Sequence, residues 1–302
     1  VQTAQPERRL VAIACRLFAA LALTVMFALV KLLDARGVSL VESLFYRQAM
    51  ALPLVLGWIA AGPGWRSIRT QRIGAHVWRT AIGLAGMALN FLTFLLLPLA
   101  EATVLLFTTP IFATILSAVV LREHVGIHRW AAVLLGFAGV AIVVDPRTTG
   151  LPWPGVAVGL TAALVVSGVS ITLRQIGRTE SATTTVFWFT ILSAVPLGLA
   201  MPFVGKMHDA ETFGLLLALG LAGGLAQLAL TSSLRLAPVS VVLPMDYSNL
   251  IWAALFGWLL FATVPSHSLW LGAPVIIASG LYIVWREQVR HREATAIAAA
   301  AD

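Results

Sequence analysis

Charge is what this sequence has least of: Asp, Glu, Lys and Arg together make up 11% of its 302 residues, while 59% are hydrophobic. With a mean hydropathy of +0.92, this excludes an ordinary water-soluble domain and leaves a polytopic membrane protein. Cysteine is nearly absent as well. The single Cys15 lies within an apolar run, so no intrachain disulfide can form and a cysteine metal centre lacks its ligands; it reads as a small buried apolar residue. Also missing are an aspartate-rich diphosphate motif, a His-x-x-Glu-His helix, a Gly-x-Ser-x-Gly elbow and a nucleotide-binding loop. Their absence argues against an enzyme, and no catalytic residue, metal or cofactor is expected. Basic residues outnumber acidic ones, 20 to 13, but they fall in short clusters between apolar runs, which is unlike a nucleic-acid-binding face.

What is abundant is apolar sequence in pieces of membrane-spanning length. A span needs about 20 apolar residues, and that ruler places ten, near 10–31, 39–60, 77–97, 100–121, 129–144, 152–173, 182–203, 213–234, 238–262 and 268–285. The first is too long for a signal peptide's apolar region and no small-residue cleavage site follows it. The loops on one side carry Arg8, Arg9, Arg66, Arg69, Arg72, Arg79, Arg122, Arg129, Arg174, Arg178, Arg235, Arg286, Arg290 and Arg292, and those on the other only Lys31, Arg36, Arg147 and Lys206. Cytoplasmic loops hold the basic excess, so both termini are expected in the cytoplasm. Trp65, Trp78, Trp130, Trp153, Trp270 and Trp285 fall at span ends, where indole rings anchor at the interface.

The chain also repeats itself. Gly83-Leu84-Ala85-Gly86 recurs as Gly220-Leu221-Ala222-Gly223, and Leu97, Leu99, Ala100, Val104 and Leu106 recur as Leu234, Leu236, Ala237, Val241 and Leu243. This is a duplication, with halves at 1–148 and 149–302, the second ending in a short basic tail. Five spans per half is odd, so the second half enters the membrane in the opposite sense. The expected fold is an all-α membrane protein, ten transmembrane helices as two inverted five-helix repeats, the architecture of secondary transporters that alternate access around the midplane.

Polar groups inside such spans are costly and mark a substrate path or a helix contact. Asn90 and Gln227 occupy equivalent positions in the repeat, as do Thr109 and Asp246, the latter pair about 12–13 Å into their spans. Tyr247 and Asn249 follow, Ser167 and Ser170 add hydroxyls, and Trp188 and Trp252 are aromatic rings at mid-span. These ten residues are the expected substrate-binding set. Asn90, Gln227 and the serines could equally be helix-joining hydrogen bonds. Asp246 could titrate with transport or form a structural pair with Arg47, the basic residue well inside a span, whereas Arg16 is read as snorkelling to the cytoplasmic interface. Gly83, Gly86, Gly220 and Gly223, with Pro110 and Pro244 beside the midplane pair, are the candidate packing or hinge positions.

Ala100 through Pro110, then Leu121-Arg122-Glu123 and Gly136-x-x-Gly139, together with Asp246-Tyr247-Ser248-Asn249-Leu250-Ile251-Trp252 through Gly257 and Ser279-Gly280-Leu281-Tyr282 to Arg286-Glu287, resemble the EamA-type transporters of the drug/metabolite transporter superfamily. The resemblance covers nearly the whole chain; it departs at Ala262-Thr263, where the second copy often keeps Glu. It implies two inverted repeats of five helices, movement of small metabolites without ATP, and a multi-pass protein of a bacterial-type inner membrane, monomeric or homodimeric, whose partners are its substrate and the bilayer. Similar members export amino acids, including aromatic ones, and a cavity with few fixed charges suits such zwitterions. Amino-acid export is therefore the leading reading. Import of a riboflavin-like vitamin or an adenosyl compound is the alternative, and a non-transporting scaffold or intramembrane enzyme a distant one.

Overall fold

In the computed structural model residues 8–62, 64–123, 125–145, 150–177 and 179–301 are described. Arg147, Arg178 and the boundary at 148 and 149 lie outside the described residues, as do the side chains of Glu287, Arg290 and Arg292. Among the described residues there is no strand. The helices are α1 (Arg9–Ala35), α2 (Leu40–Ala61), α3 (Ile73–Leu96), α4 (Leu99–Leu106), α5 (Thr109–Val119), α6 (Ile127–Val143), α7 (Trp153–Ile176), α8 (Ala182–Val204), α9 (Ala210–Leu236), α10 (Val239–Val242), α11 (Asn249–Phe261) and α12 (His267–Ala301). Among the described residues, counting α4 and α5 as one, eight spans are long and apolar enough to cross a membrane, and α6 is a shorter apolar helix.

Local chemistry sets where these helices start. Ser39 caps α2 in a reciprocal box, its hydroxyl accepting from the Glu42 backbone at 3.2 Å while the Glu42 carboxylate accepts from the Ser39 N–H at 2.7 Å. Ser181 caps α8 through the Thr184 N–H at 3.1 Å, and Asp209 caps α9 through the Thr212 N–H at 3.3 Å. The polar caps end the apolar runs where the chain turns back.

Two of the expected spans are broken rather than straight. The fourth stops after Leu106 and restarts at Thr109, with Pro110 in the first turn of α5. In the ninth, a 3-10 turn, Leu243–Ser248, separates α10 from α11 and carries Pro244 near its start. Proline has no N–H to give to the preceding turn, so each break falls where the backbone bond is already lost. The last span, His267–Arg286, falls where it is expected, and its helix α12 runs on past it to Ala301 through the basic tail.

The packing is set by small residues. Helix α1 lies along α9, α3 along α7, α6 along α12, and α2 against both α8 and α9. A Cβ at Gly139 would come 2.8 Å from the Ile276 side chain, and one at Gly136 2.7 Å from the Ser279 hydroxyl, so α6 and α12 approach at a distance only glycine permits. Gly220 and Gly223 do the same for α9, against Met50 of α2 and against Met26 and Arg47, while Gly83 faces Phe189 and Gly86 faces Val166. All four repeated glycines thus sit in close helix contacts. Two buried clusters fill the bundle, one around Leu97, Leu99, Leu105, Leu269 and Ile276, the other around Leu29, Leu33, Phe91, Leu216 and Leu219. Leu134, Leu199, Phe203 and the six tryptophans at span ends point outward, as a lipid-facing surface requires.

Candidate substrate cavity

The two helix breaks leave a space between them. A cavity of about 560 Å³ opens along α1, α5, α7 and the Leu243–Ser248 turn, with contributions from α3, α4, α6, α9 and α12. Its volume lies within the range of small-molecule sites. Phe27, Phe94, Phe107 and Tyr247 supply its aromatic wall: the Phe27 ring stacks on Phe94 with centroids 3.9 Å apart, and Phe107 meets Tyr247 edge-on at 4.8 Å. At one end the wall closes against the buried leucine cluster; at the other it is bounded by Ser117, Arg129 and Arg174.

The polar centre is an ion pair. Arg16 Nε and Nη2 donate to the two carboxylate oxygens of Asp246, each at 2.5 Å, and Nη1 lies 3.5 Å from the Ser233 hydroxyl. Arg16 is therefore not at the membrane surface: it is buried, and it replaces Arg47 as the partner of Asp246. The reason is depth and side. Arg16 is seven residues past the start of α1 and Asp246 seven past the start of α10, about 10 Å each at 1.5 Å per residue, and both helices start at the same end of the bundle. Comparing those two depths would have found the pair from the sequence. Arg47 is also buried, but it bonds its neighbour Gln48 and packs on Gly223 of α9, away from the cavity, with Nε unpartnered. Arg79 likewise turns from the cavity, its guanidinium 3.9 Å over the Phe189 ring.

Of the ten residues expected to bind substrate, Thr109, Ser170, Asp246, Tyr247 and Asn249 line the cavity. Asn249 Oδ1 lies 3.2 Å from the Thr24 hydroxyl, and the Tyr247 ring reaches across to the α12 backbone at Gly280. The other five stand elsewhere in the bundle. Ser167 is fully buried and donates to the Leu164 carbonyl. Trp188 is two turns into α8 and gives its indole N–H to the Ile68 carbonyl at 2.9 Å, so it holds the loop before α3. Trp252, Asn90 and Gln227 are not among the lining residues, and Trp252 Nε1 and Asn90 Oδ1 are buried without partners. Thr24, Thr103, Arg129 and the phenylalanines line the cavity unannounced; Thr and Phe in an apolar helix carry no signal of their own.

Such a site can hold a flat ring against phenylalanine faces and read polar edges through Asn249, the hydroxyls and the ion pair. A family model for the EamA-like transporter family matches residues 10–145 and 153–285. The chain belongs to that family. It is 32% identical over 248 residues, 81% of its length and 83% of the other's, to a protein of Vibrio cholerae named riboflavin transporter. A riboflavin transporter of Rhizobium johnstonii is 31% identical, over 76% of each chain. An S-adenosylmethionine uptake transporter of Rickettsia prowazekii is 26% identical, over 81% of each. A protein of known crystal structure matches with a TM-score of 0.60 at 17% identity, over 90% of this chain and 95% of that one, a likeness of fold. Those EamA-family relatives are named for a vitamin and for an adenosyl compound, and none of the three for the amino-acid export that the sequence analysis puts first.

Proposed function

We propose that this multi-pass membrane protein is a secondary transporter that takes up a flat, uncharged heteroaromatic compound of the riboflavin type, by alternating access between two inverted repeats. The observation that carries the reading is the aromatic cavity at the paired helix breaks. A three-ring system would lie against the aromatic wall made by the stacked Phe27–Phe94 pair and the edge-on Phe107–Tyr247 pair. Its ring carbonyls and N–H face Asn249, Thr109 and Thr24, while a hydroxylated side chain runs toward Ser170. The charges favour the riboflavin type over an adenosyl sulfonium: Arg16 and Asp246 cancel, and Arg129 and Arg174 leave the lining net positive, which repels a cation.

Alternating access is supported by the duplicated Gly-Leu-Ala-Gly, by helix breaks beside the equivalent Thr109 and Asp246, and by the two stretches of the family match. Basic residues at the Arg129 and Arg174 end support assigning that end, and both termini, to the cytoplasmic side of an inner membrane. The molecule is then inward-facing. Transport runs down the substrate gradient, since Asp246 has both oxygens engaged by Arg16. The test is influx of labelled riboflavin into proteoliposomes, against S-adenosylmethionine and phenylalanine. Saturable riboflavin flux supports the proposal; flux of phenylalanine without riboflavin returns the protein to amino-acid export.

A further inference from the structure

The charged groups lining the cavity are Arg16, Asp246, Arg129 and Arg174, and they are not in balance. Asp246 spends both oxygens on Arg16. Arg174 Nη1 lies 3.4 Å from Glu123, both side chains well exposed, so this contact is a loose surface pair. Arg129, two residues past the start of α6, is different: only 7% of it is exposed, its Nε is buried without a partner, and no carboxylate among the described residues pairs with it. A guanidinium held that deep without a counter-charge is expensive. A neutral ring compound passing beside it gives nothing in return; an anion does, and the planar fork of donors fits the oxygens of a phosphate.

We propose that Arg129, with Arg174 in the same lining, forms an anion subsite at one end of the cavity that takes the phosphate of a phosphomonoester whose ring occupies the aromatic wall. The ring part rests on the function proposed above; the phosphate part rests on Arg129 alone. On the orientation given by the charge balance, this subsite is reached from the cytoplasm. A phosphorylated form of the carried compound, made inside the cell by a kinase that moves the terminal phosphoryl group of a nucleoside triphosphate to one of its hydroxyls and releases the nucleoside diphosphate and a proton, then occupies the inward-facing carrier and slows further uptake.

The experiment uses the purified full-length protein, with riboflavin and riboflavin 5′-phosphate as probes read by quenching of flavin fluorescence. The phosphate ester is expected to bind roughly tenfold more tightly than its parent, the scale of one charge-assisted contact, and in Arg129→Gln that ratio falls to about one. Equal affinities in the wild type, or a ratio untouched by Arg129→Gln, overturn the proposal. If neither flavin binds, the transport reading fails, and inorganic phosphate then tests the subsite by itself: at constant ionic strength it should raise the melting temperature of the wild type and leave Arg129→Gln unmoved. No shift in the wild type removes the subsite. Should Arg129→Gln not fold, Arg129→Lys keeps the charge without the fork and is expected to lower the ratio partway; an unchanged ratio overturns the fork. Nanodiscs with and without phosphatidylglycerol separate the two phosphate sources, because a phosphate effect abolished by that lipid assigns Arg129 to a headgroup and overturns the soluble ligand.

Discussion

The two ends of the bundle are built differently. At the end where α2 and α9 start, Glu42 is completely buried and accepts from the Ser39 N–H, the Lys206 N–H at 2.8 Å and His208 Nε2 at 2.9 Å. Arg36 meets Glu211 at 2.5 Å, and Lys31 donates to the carbonyls of Phe94 and Leu97. That end is stitched shut, with its polar groups paired. At the opposite end, where α3 and α8 start, the loop before α3 is tied to α8, through Thr70 and Glu180 at 2.8 Å and Thr184 and the Ser67 carbonyl at 2.6 Å. Yet His76, Arg79, Thr80 and Arg129, all early in α3 or α6, keep buried polar atoms without partners.

The contrast is sharpest in two Glu–His contacts. Glu42 of α2 meets His208, just before α9, at 2.9 Å; Glu180, just before α8, stands 3.9 Å from His76 of α3. Each joins the start of the second helix of one half to the start of the third helix of the other, at opposite ends. One contact is made and the other slack. Under the alternating access proposed above, exchange of these two contacts is the expected difference between the two states.

The largest expected effect comes from breaking the centre that both ends share. Asp246→Ala leaves Arg16 buried and unpaired and should cost about 3–5 kcal/mol, seen as a lowered unfolding midpoint together with loss of uptake. Replacing both partners, Arg16→Met with Asp246→Leu, should restore most of the stability and none of the transport. A single Asp246→Ala variant as stable as the wild type would show that the pair contributes nothing. An imposed pH gradient should leave wild-type flux unchanged, and a flux that follows the gradient would assign Asp246 a proton.

Next comes the outer gate. Glu42→Ala removes three hydrogen bonds to a buried carboxylate, about 2–3 kcal/mol from the closed state, and should raise labelling of a cysteine at Val38 or Phe213 from outside. Glu180→Ala, acting on the slack contact, should change labelling far less. Equal effects would erase the difference between the ends. A smaller effect belongs to the α6–α12 contact, where Gly139→Val forces a side chain against Ile276 and should cost about 1–3 kcal/mol by overpacking.

How much of this was legible follows from where each signal lives. Eight of the ten span positions were, because about 20 apolar residues have to be consecutive; the fifth, α6, is shorter than that and the ninth is divided between α10 and α11, and the helix breaks were foreshadowed by Pro110 and Pro244. The shared glycines were legible as close contacts. Arg16 was missed because its neighbours in sequence are apolar and its partner is 230 positions away; only the comparison of depths carries that signal. Trp188 looked like a cavity residue by position in its span, but the Ala182 start puts it near the loop, within reach of a free carbonyl. Facing direction around a helix is a tertiary property, and α8 has too little apolar asymmetry to declare it.

The smallest expected effect is at the repeat-related amides, and it bears most directly on the exchange of the two ends. Asn90 and Gln227 stand at equivalent places in the duplication, yet neither lines the cavity. Asn90 Oδ1 is buried with no donor, so Asn90→Leu removes an unpaired polar atom and should change stability by less than about 1 kcal/mol in either direction. If the cavity described is the whole substrate path, Asn90→Leu and Gln227→Leu leave the apparent affinity for substrate unchanged from both sides of the membrane. If the path is remade when the outer end opens, affinity measured from outside falls while affinity from inside holds. That asymmetry, measured in proteoliposomes of known orientation, would place both amides in the outward-facing site; an equal loss from both sides would instead bring them back into the site that already faces inward.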